Sequence, residues 1–268
     1  MEKQPSLDED SIVEIGGNVD KALAGQYLIN PKAVITEAWQ KTTASRLSIN
    51  LGLLFVLILG MMASLLFSQY LGGIEQVLQS PEASLILNMI VTVVIWPFLA
   101  GVEMMGVLHA VGLKTQPKLV FSFLRRGSWV ALCAVMTSMF ISLGLQLLIF
   151  PGIFLAVVLS LSIPLVVEKR LSPAKAIVLS VKALRFQWFN IFVTYLMLVG
   201  ALVVAMLPMY LLRSSDLFVL GAVAFLVSLS YIAPCYYNVK GVLYREIFGM
   251  KLQTITSGEQ GSSDTFIA

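Results

Sequence analysis

The sequence predicts an all-α fold, a polytopic membrane protein with six transmembrane helices. Three observations carry that prediction. Of 268 residues, 58% are hydrophobic and 12% charged, whereas soluble domains carry about a quarter charged residues. Six apolar stretches recur along the chain, and a crossing needs ~20 residues at about 1.5 Å each. Laid across a bilayer, these stretches also sort the cations to one side.

Residues 1–28 are polar, with six carboxylates against Lys3 and Lys21. They read as an acidic cytosolic tail, and no charged segment followed by an apolar core stands near Met1, so no cleavable signal peptide is expected. A six-helix transmembrane domain is expected over 29–250 and a disordered cytosolic tail over 251–268. At Asn30-Pro31 the pattern changes to a cap followed by a first-turn proline. Val34, Ile35, Ala38 and Trp39 then fall on one helical face, with Glu37 and Lys41 four apart in the favourable order. This amphipathic segment leads into a first span at about 47–67.

After Gly72-Gly73, the second span covers about 84–111 and holds Pro97, Glu103 and His109. Pro117 opens a second amphipathic piece, KLVFSFLRR. The third span starts at Trp129, turns at Pro151-Gly152 with no polar spacer, and returns as a fourth span ending at Glu168. The apolar part of that return is only ~16 residues, or ~24 Å of helix, so an upright helix or a thinned bilayer is expected. Ser172-Pro173 repeats the cap-and-proline start, with a stripe of Ile177, Val178, Val181 and Leu184. The fifth span runs from Trp188 to about Leu212 and the sixth over about 217–237, leaving through CYYNVKGVLYREIFG.

With the N-terminus in the cytosol, the tail and first amphipathic segment contribute 5 Lys and Arg, the 112–127 loop 4, the 168–187 loop 5 and the C-terminal part 3, leaving Arg213 alone outside out of 18. This is the positive-inside pattern. It predicts a multi-pass protein with both termini cytosolic. The Pro-led segment, outgoing span, tight outer turn and returning span occur three times in the same direction, a layout of three parallel repeats. The returning spans carry Pro97, Pro164 and Pro234. Each frees a carbonyl one turn earlier and bends its helix, which is either packing geometry or the wall of a cytosolic-side cavity.

Glu103 is the strongest candidate functional residue, because a carboxylate within a span is costly and marks a site by default. His109 lies six residues on, about 120° round the helix, so the two imply no acid-base pair. Asn88, Gln146 and Asn190 read as helix-joining hydrogen bonders. Cys133 and Cys235 lie in apolar runs without CxxC spacing, so neither a disulfide framework nor a metal site is expected. The chain holds no GxSxG, HExxH, Walker A or GxGxxG, and no Asp lies in a span. No catalytic residue and no cofactor are assigned, and an enzyme is not expected. The basic residues beside Trp39, Trp129 and Trp188 suit anionic lipid headgroups at ~1 kcal/mol each. A membrane-protein partner or self-association is the other partner class, and nothing points to nucleic acid.

At PGIFLAVVLSLSIPLVVEKRLSPAKAIVLSVKAL and at VLYREIFG the sequence resembles a broad group of bacterial six-span proteins, over about residues 110–250. The group includes the uncharacterised YciC-like family and the membrane domain attached to some glycerophosphodiester phosphodiesterases. The resemblance implies a bacterial cytoplasmic (inner) membrane location and carries over no catalytic residue. The reading that follows is a non-enzymatic integral inner-membrane protein, an accessory or scaffold factor in envelope or lipid homeostasis. The alternative is a small transporter or channel with a cytosolic-side cavity involving Glu103.

Overall fold

Asn30 starts the first long helix as its side chain predicts: Oδ1 accepts the backbone N–H groups of Lys32 at 3.1 Å and Ala33 at 3.4 Å. The computed structural model describes residues 12–215 and 217–253. Helix α2 (Pro31–Tyr70) has one non-helical residue, Ser45, at φ −143° and ψ 22°. The amphipathic segment is therefore the first arm of a bent helix whose second arm is the first crossing. Val34, Ala38 and Thr42 form its buried row, one turn apart, while Trp39 on the expected apolar face is exposed and stacks on Tyr231.

Short helix α3 (Ile74–Gln79) caps the far end, and α4 (Pro81–Ala110) returns, its N-terminus capped by Ser80 Oγ accepting the Ala83 N–H at 3.2 Å. The Pro117 segment differs from expectation. It forms two 3-10 turns, 117–121 and 124–126, and not an amphipathic α-helix. Val120 is drawn between α2 and α4, where Gly52 and Gly101 leave room for it.

Helix α5 (Gly127–Leu147) ends at Leu148, which is extended, and α6 (Ile149–Val158) begins at once. The outer turn thus lies at Leu148, three residues before the expected Pro151-Gly152. Proline is tolerated in a first helical turn, where its missing N–H costs no bond. Gly152 serves packing: a Cβ there would come within 2.5 Å of Leu145 Cγ, and one on Gly144 within 2.9 Å of Gly152 Cα. The return breaks again at 159–161 before α7 (Ser162–Glu168).

Helix α8 (Pro173–Leu184) buries Ala176, Ile177, Ser180, Ala183 and Leu184 against α5, α6 and α7. The buried face is rotated from the expected stripe, and Val178 is exposed. Ser172 makes no side-chain cap. The Pro-led segments thus take three different forms: a bent helix arm, 3-10 turns and a packed α-helix. Helices α9 (Trp188–Leu211) and α10 (Phe218–Phe248) complete the bundle.

Six helical units are long and apolar enough to cross a bilayer, and large apolar side chains such as Leu57, Leu65, Val204 and Val219 stand exposed on their outer faces. A water-soluble surface rarely shows a contiguous apolar patch of that extent. The protein is an integral, multi-pass membrane protein. Six crossings place both described ends on one side, here called the termini end.

Part of the segment read as a solvated tail is docked there. Strand β1 (Ile12–Ile15) pairs antiparallel with β2 (Met250–Gln253), and α1 (Val19–Leu23) buries Ala22 against the bundle. Tyr27 donates its hydroxyl to the Ala183 carbonyl at 2.7 Å, and burial pushes its phenol up to about 12. The expectations for 1–11 and for 254–268 lie outside the described residues.

Candidate functional site

Helices α4 and α10 run side by side toward the termini end and touch backbone to backbone. A Cβ on Gly106 would collide with the Tyr237 carbonyl, and one on Gly241 with the Gly106 carbonyl. This close approach brings together the residues on either side of the glycines. Lys240 donates its Nζ to Glu103 Oε1, with Lys240 4% and Glu103 2% exposed. Glu103 Oε2 is buried and makes no hydrogen bond among the described residues.

The sequence places the end of the sixth span at about residue 237 and so leaves Lys240 outside it; that boundary is corrected here. Lys240 was assigned to the exit of the sixth span, but α10 continues to Phe248 and keeps it inside the bundle. One signal could have found it. Glu103 and Lys240 each stand about two turns before the end of parallel helices, so they share a depth.

Nearer the termini, α2 joins the same pair. Asn238 Nδ2 donates to Thr42 Oγ1 at 2.9 Å, and its Oδ1 stands 3.0 Å from His109 Nδ1. Because Oδ1 can only accept, Nδ1 carries a proton, and Nε2 in the neutral ring accepts from Thr115 Oγ1 at 2.8 Å. Thr115 also meets Ser48 at 2.9 Å. His109 is buried in this network. Its ring nitrogens meet Asn238 and Thr115.

Arg245 holds Glu37 bidentately, Nη1–Oε1 at 2.6 Å and Nη2–Oε2 at 2.8 Å, and donates to the Ala110 carbonyl at 2.7 Å. It ties α10 to α2 while capping the open end of α4. Glu37 therefore spends its charge on Arg245, where the sequence paired it with Lys41. On the other side of α10, Tyr244 donates to Glu168 Oε2 at 2.7 Å.

The three returning-span prolines have separate surroundings. Pro97 lies inside α4 and packs on Gly127, where a Cβ would be 3.1 Å from Pro97 Cβ. Pro164 sits in the first turn of α7, just past the break at 159–161, as a residue lacking the N–H for the carbonyl of Ser160. Pro234 is buried inside α10 and frees the Ser230 carbonyl; Asn50 of α2 donates its Nδ2 to that oxygen at 2.9 Å. Asn50 drew no notice in the sequence, although a bent helix in hydrocarbon demands such a donor.

A cavity of about 560 Å³ lies between α2, α6, α9 and α10, within the ~300–1,000 Å³ of small-molecule sites. Leu53, Ile153, Val157, Phe192, Leu202, Leu229 and Ile232 make its apolar wall, and Ser160, Tyr195, Tyr236 and Tyr237 its polar groups. Leu196 and Val199 at its rim are more than half exposed, so it faces the bilayer sideways. Ser160 Oγ and Tyr195 OH are buried neighbours, and neither makes a well-formed hydrogen bond among the described residues.

None of Glu103, Pro97, Pro164 and Pro234 lines this cavity. This cavity, between the first, fourth, fifth and sixth crossings, is distinct from the cytosolic-side cavity involving Glu103 that the alternative reading offered. Among the described residues, no group of three His, Cys, Asp or Glu side chains assembles as a metal site, and Cys133 and Cys235 are both buried free thiols.

No family model, curated protein or solved structure matches this chain. The site is therefore read from its own geometry.

Proposed function

We propose that this chain is a non-enzymatic accessory or scaffold factor of the bacterial inner membrane that acts in lipid or envelope homeostasis by holding a lipid within the bundle. Both termini face the cytosol in this reading, supported by the charge asymmetry, and the inner-membrane location is what the proposed resemblance to YciC-like proteins implies. The observation that carries it is the sideways-facing cavity of about 560 Å³. It is apolar enough for an acyl chain, and Leu196 and Val199 at its rim give access from the bilayer. Exposed Arg125, Lys175, Lys182 and Arg185 at the termini end would meet anionic headgroups, which attract each such cation by ~1 kcal/mol. A protein partner or a second copy would dock on the same frame.

Gentle purification in detergent followed by native mass spectrometry tests the reading. Retained lipid that is lost when Leu229→Trp fills the cavity is the expected result. A chain that carries no lipid, or that retains it regardless of Leu229→Trp, would remove the cavity from the proposal.

One observation favours the transport alternative: Glu103 Oε2 is buried without a hydrogen bond. A proton- or cation-coupled protein should lose flux per folded molecule in Glu103→Gln, beyond the loss of stability that an unpaired Lys240 brings. The Lys240 ammonium already neutralises that carboxylate, so the lipid-holding reading is preferred.

A further inference from the structure

We infer that the cavity takes a lipid whose head is an uncharged hydroxyl, such as a long-chain alcohol or a diacylglycerol. The inference rests on the reading of the cavity as a lipid site and narrows it to one chemical class. The first ground is charge. Among the described residues, no Asp, Glu, Lys, Arg or His lines the cavity, and Glu103 and Lys240 are paired with each other. A phosphate head drawn inside would be a buried anion without a counter-charge, which is strongly unfavourable. Lys240 Nζ stands 5.8 Å from the Tyr236 ring centroid and is not among the lining residues.

The second ground is the pair of unsatisfied hydroxyls. Ser160 Oγ and Tyr195 OH are buried near each other in the wall, and neither has a partner in full hydrogen-bond geometry among the described residues. Each leaves hydrogen-bonding capacity unused, which is costly in an apolar setting. A ligand hydroxyl both donates and accepts, so it can accept from one and donate to the other. An ester carbonyl or an ether oxygen can accept from these hydroxyls but has no proton to donate to their lone pairs.

The third ground is position. Ser160 lies in the break between α6 and α7, near the middle of the fourth crossing. Pro164 keeps the regular helical bond to the Ser160 carbonyl from forming, so the break holds polar groups at a depth where lipid tails supply none. A hydroxyl head placed there leaves the tail to run along Leu202, Leu229 and Ile232.

The full chain in phosphatidylcholine–phosphatidylglycerol nanodiscs tests this with three photoactivatable probes of equal chain length: a long-chain alcohol, its methyl ether and its phosphate monoester. The alcohol should label cavity-lining peptides, be displaced by unlabelled diacylglycerol, and bind about tenfold better than the ether, the equivalent of one net hydrogen bond of ~1.4 kcal/mol. The Ser160→Ala/Tyr195→Phe variant should erase that preference, with its melting profile reporting that it is folded; Tyr195→Phe alone, which keeps the ring, should reduce it. Equal labelling by all three probes, or a preference that survives in the double variant, would overturn the hydroxyl-head inference while leaving a lipid-holding cavity in place. No cavity labelling by any probe would overturn both.

Discussion

Glu103 and Lys240 form the most deeply buried ion pair among the described residues. Removing one member of a buried pair leaves an unpaired charge and costs about 3–5 kcal/mol, whereas replacing both by apolar groups is often neutral. Glu103→Leu and Lys240→Met should each lower the unfolding midpoint strongly, and the double variant should recover most of the loss. A thermal-unfolding cycle in detergent checks this; additive losses would mean that the two side chains do not stabilise each other. Asn50 offers a second cycle. Its amide serves the carbonyl freed by Pro234, and interhelical hydrogen bonds in membranes are worth about 0.6–1.7 kcal/mol. Asn50→Leu should cost that much in the native chain and much less in Pro234→Ala, where the helix regains its own donor.

At the scale of elements, the contact between α4 and α10 depends on the absence of side chains at two positions. The atom that a Cβ on Gly106 would strike is the Tyr237 carbonyl oxygen, part of a backbone that cannot swing aside. Gly106→Ala should therefore destabilise by about 1–3 kcal/mol, the usual range for overpacking, despite alanine's higher helix propensity. Gly200→Ala, at a site with nothing within 4 Å, should leave the midpoint unchanged or raise it. If both variants behave alike, the crossing is looser than described.

The docking of α1 against α8 has its own signature in pH. Tyr27 is pushed up to about 12 by burial, above the ordinary ~10 of tyrosine. A folded-state value above the unfolded one gives stability that is complete below pH ~10 and is lost as pH rises through ~12. Amide exchange over 19–27 should accelerate across that window in the native protein. The step should be absent in Tyr27→Phe, which cannot ionise.

For the whole molecule, orientation follows from where the cations lie. Reporter fusions after Gly73 and after Ser215 should behave as external, and fusions after Lys118 and Arg170 as internal. An internal signal after Gly73 would contradict six crossings. The two ends of the described chain are also joined, because β1 and β2 pair and Lys169 donates to the Gly249 carbonyl at 3.2 Å. The termini end is thus a folded layer, not a set of loose connections.

The sequence by itself determined the six crossings, the placement of the ends on one side and the start of the first long helix at Asn30-Pro31. These depend on apolar run length, cation position and local capping at Asn30, all written along the chain. It also singled out Glu103, because a carboxylate in hydrocarbon stands out without reference to any neighbour. Tertiary structure alone decided what Glu103 meets, that Val120 and not a helix fills the gap between α2 and α4, that Asn50 serves Pro234, and where the cavity lies. Lys240 is 137 residues from Glu103 in the chain, and its burial follows from Gly106 and Gly241 letting two backbones approach. A contact of that kind depends on the distance between helices, a quantity that no periodicity within either helix encodes.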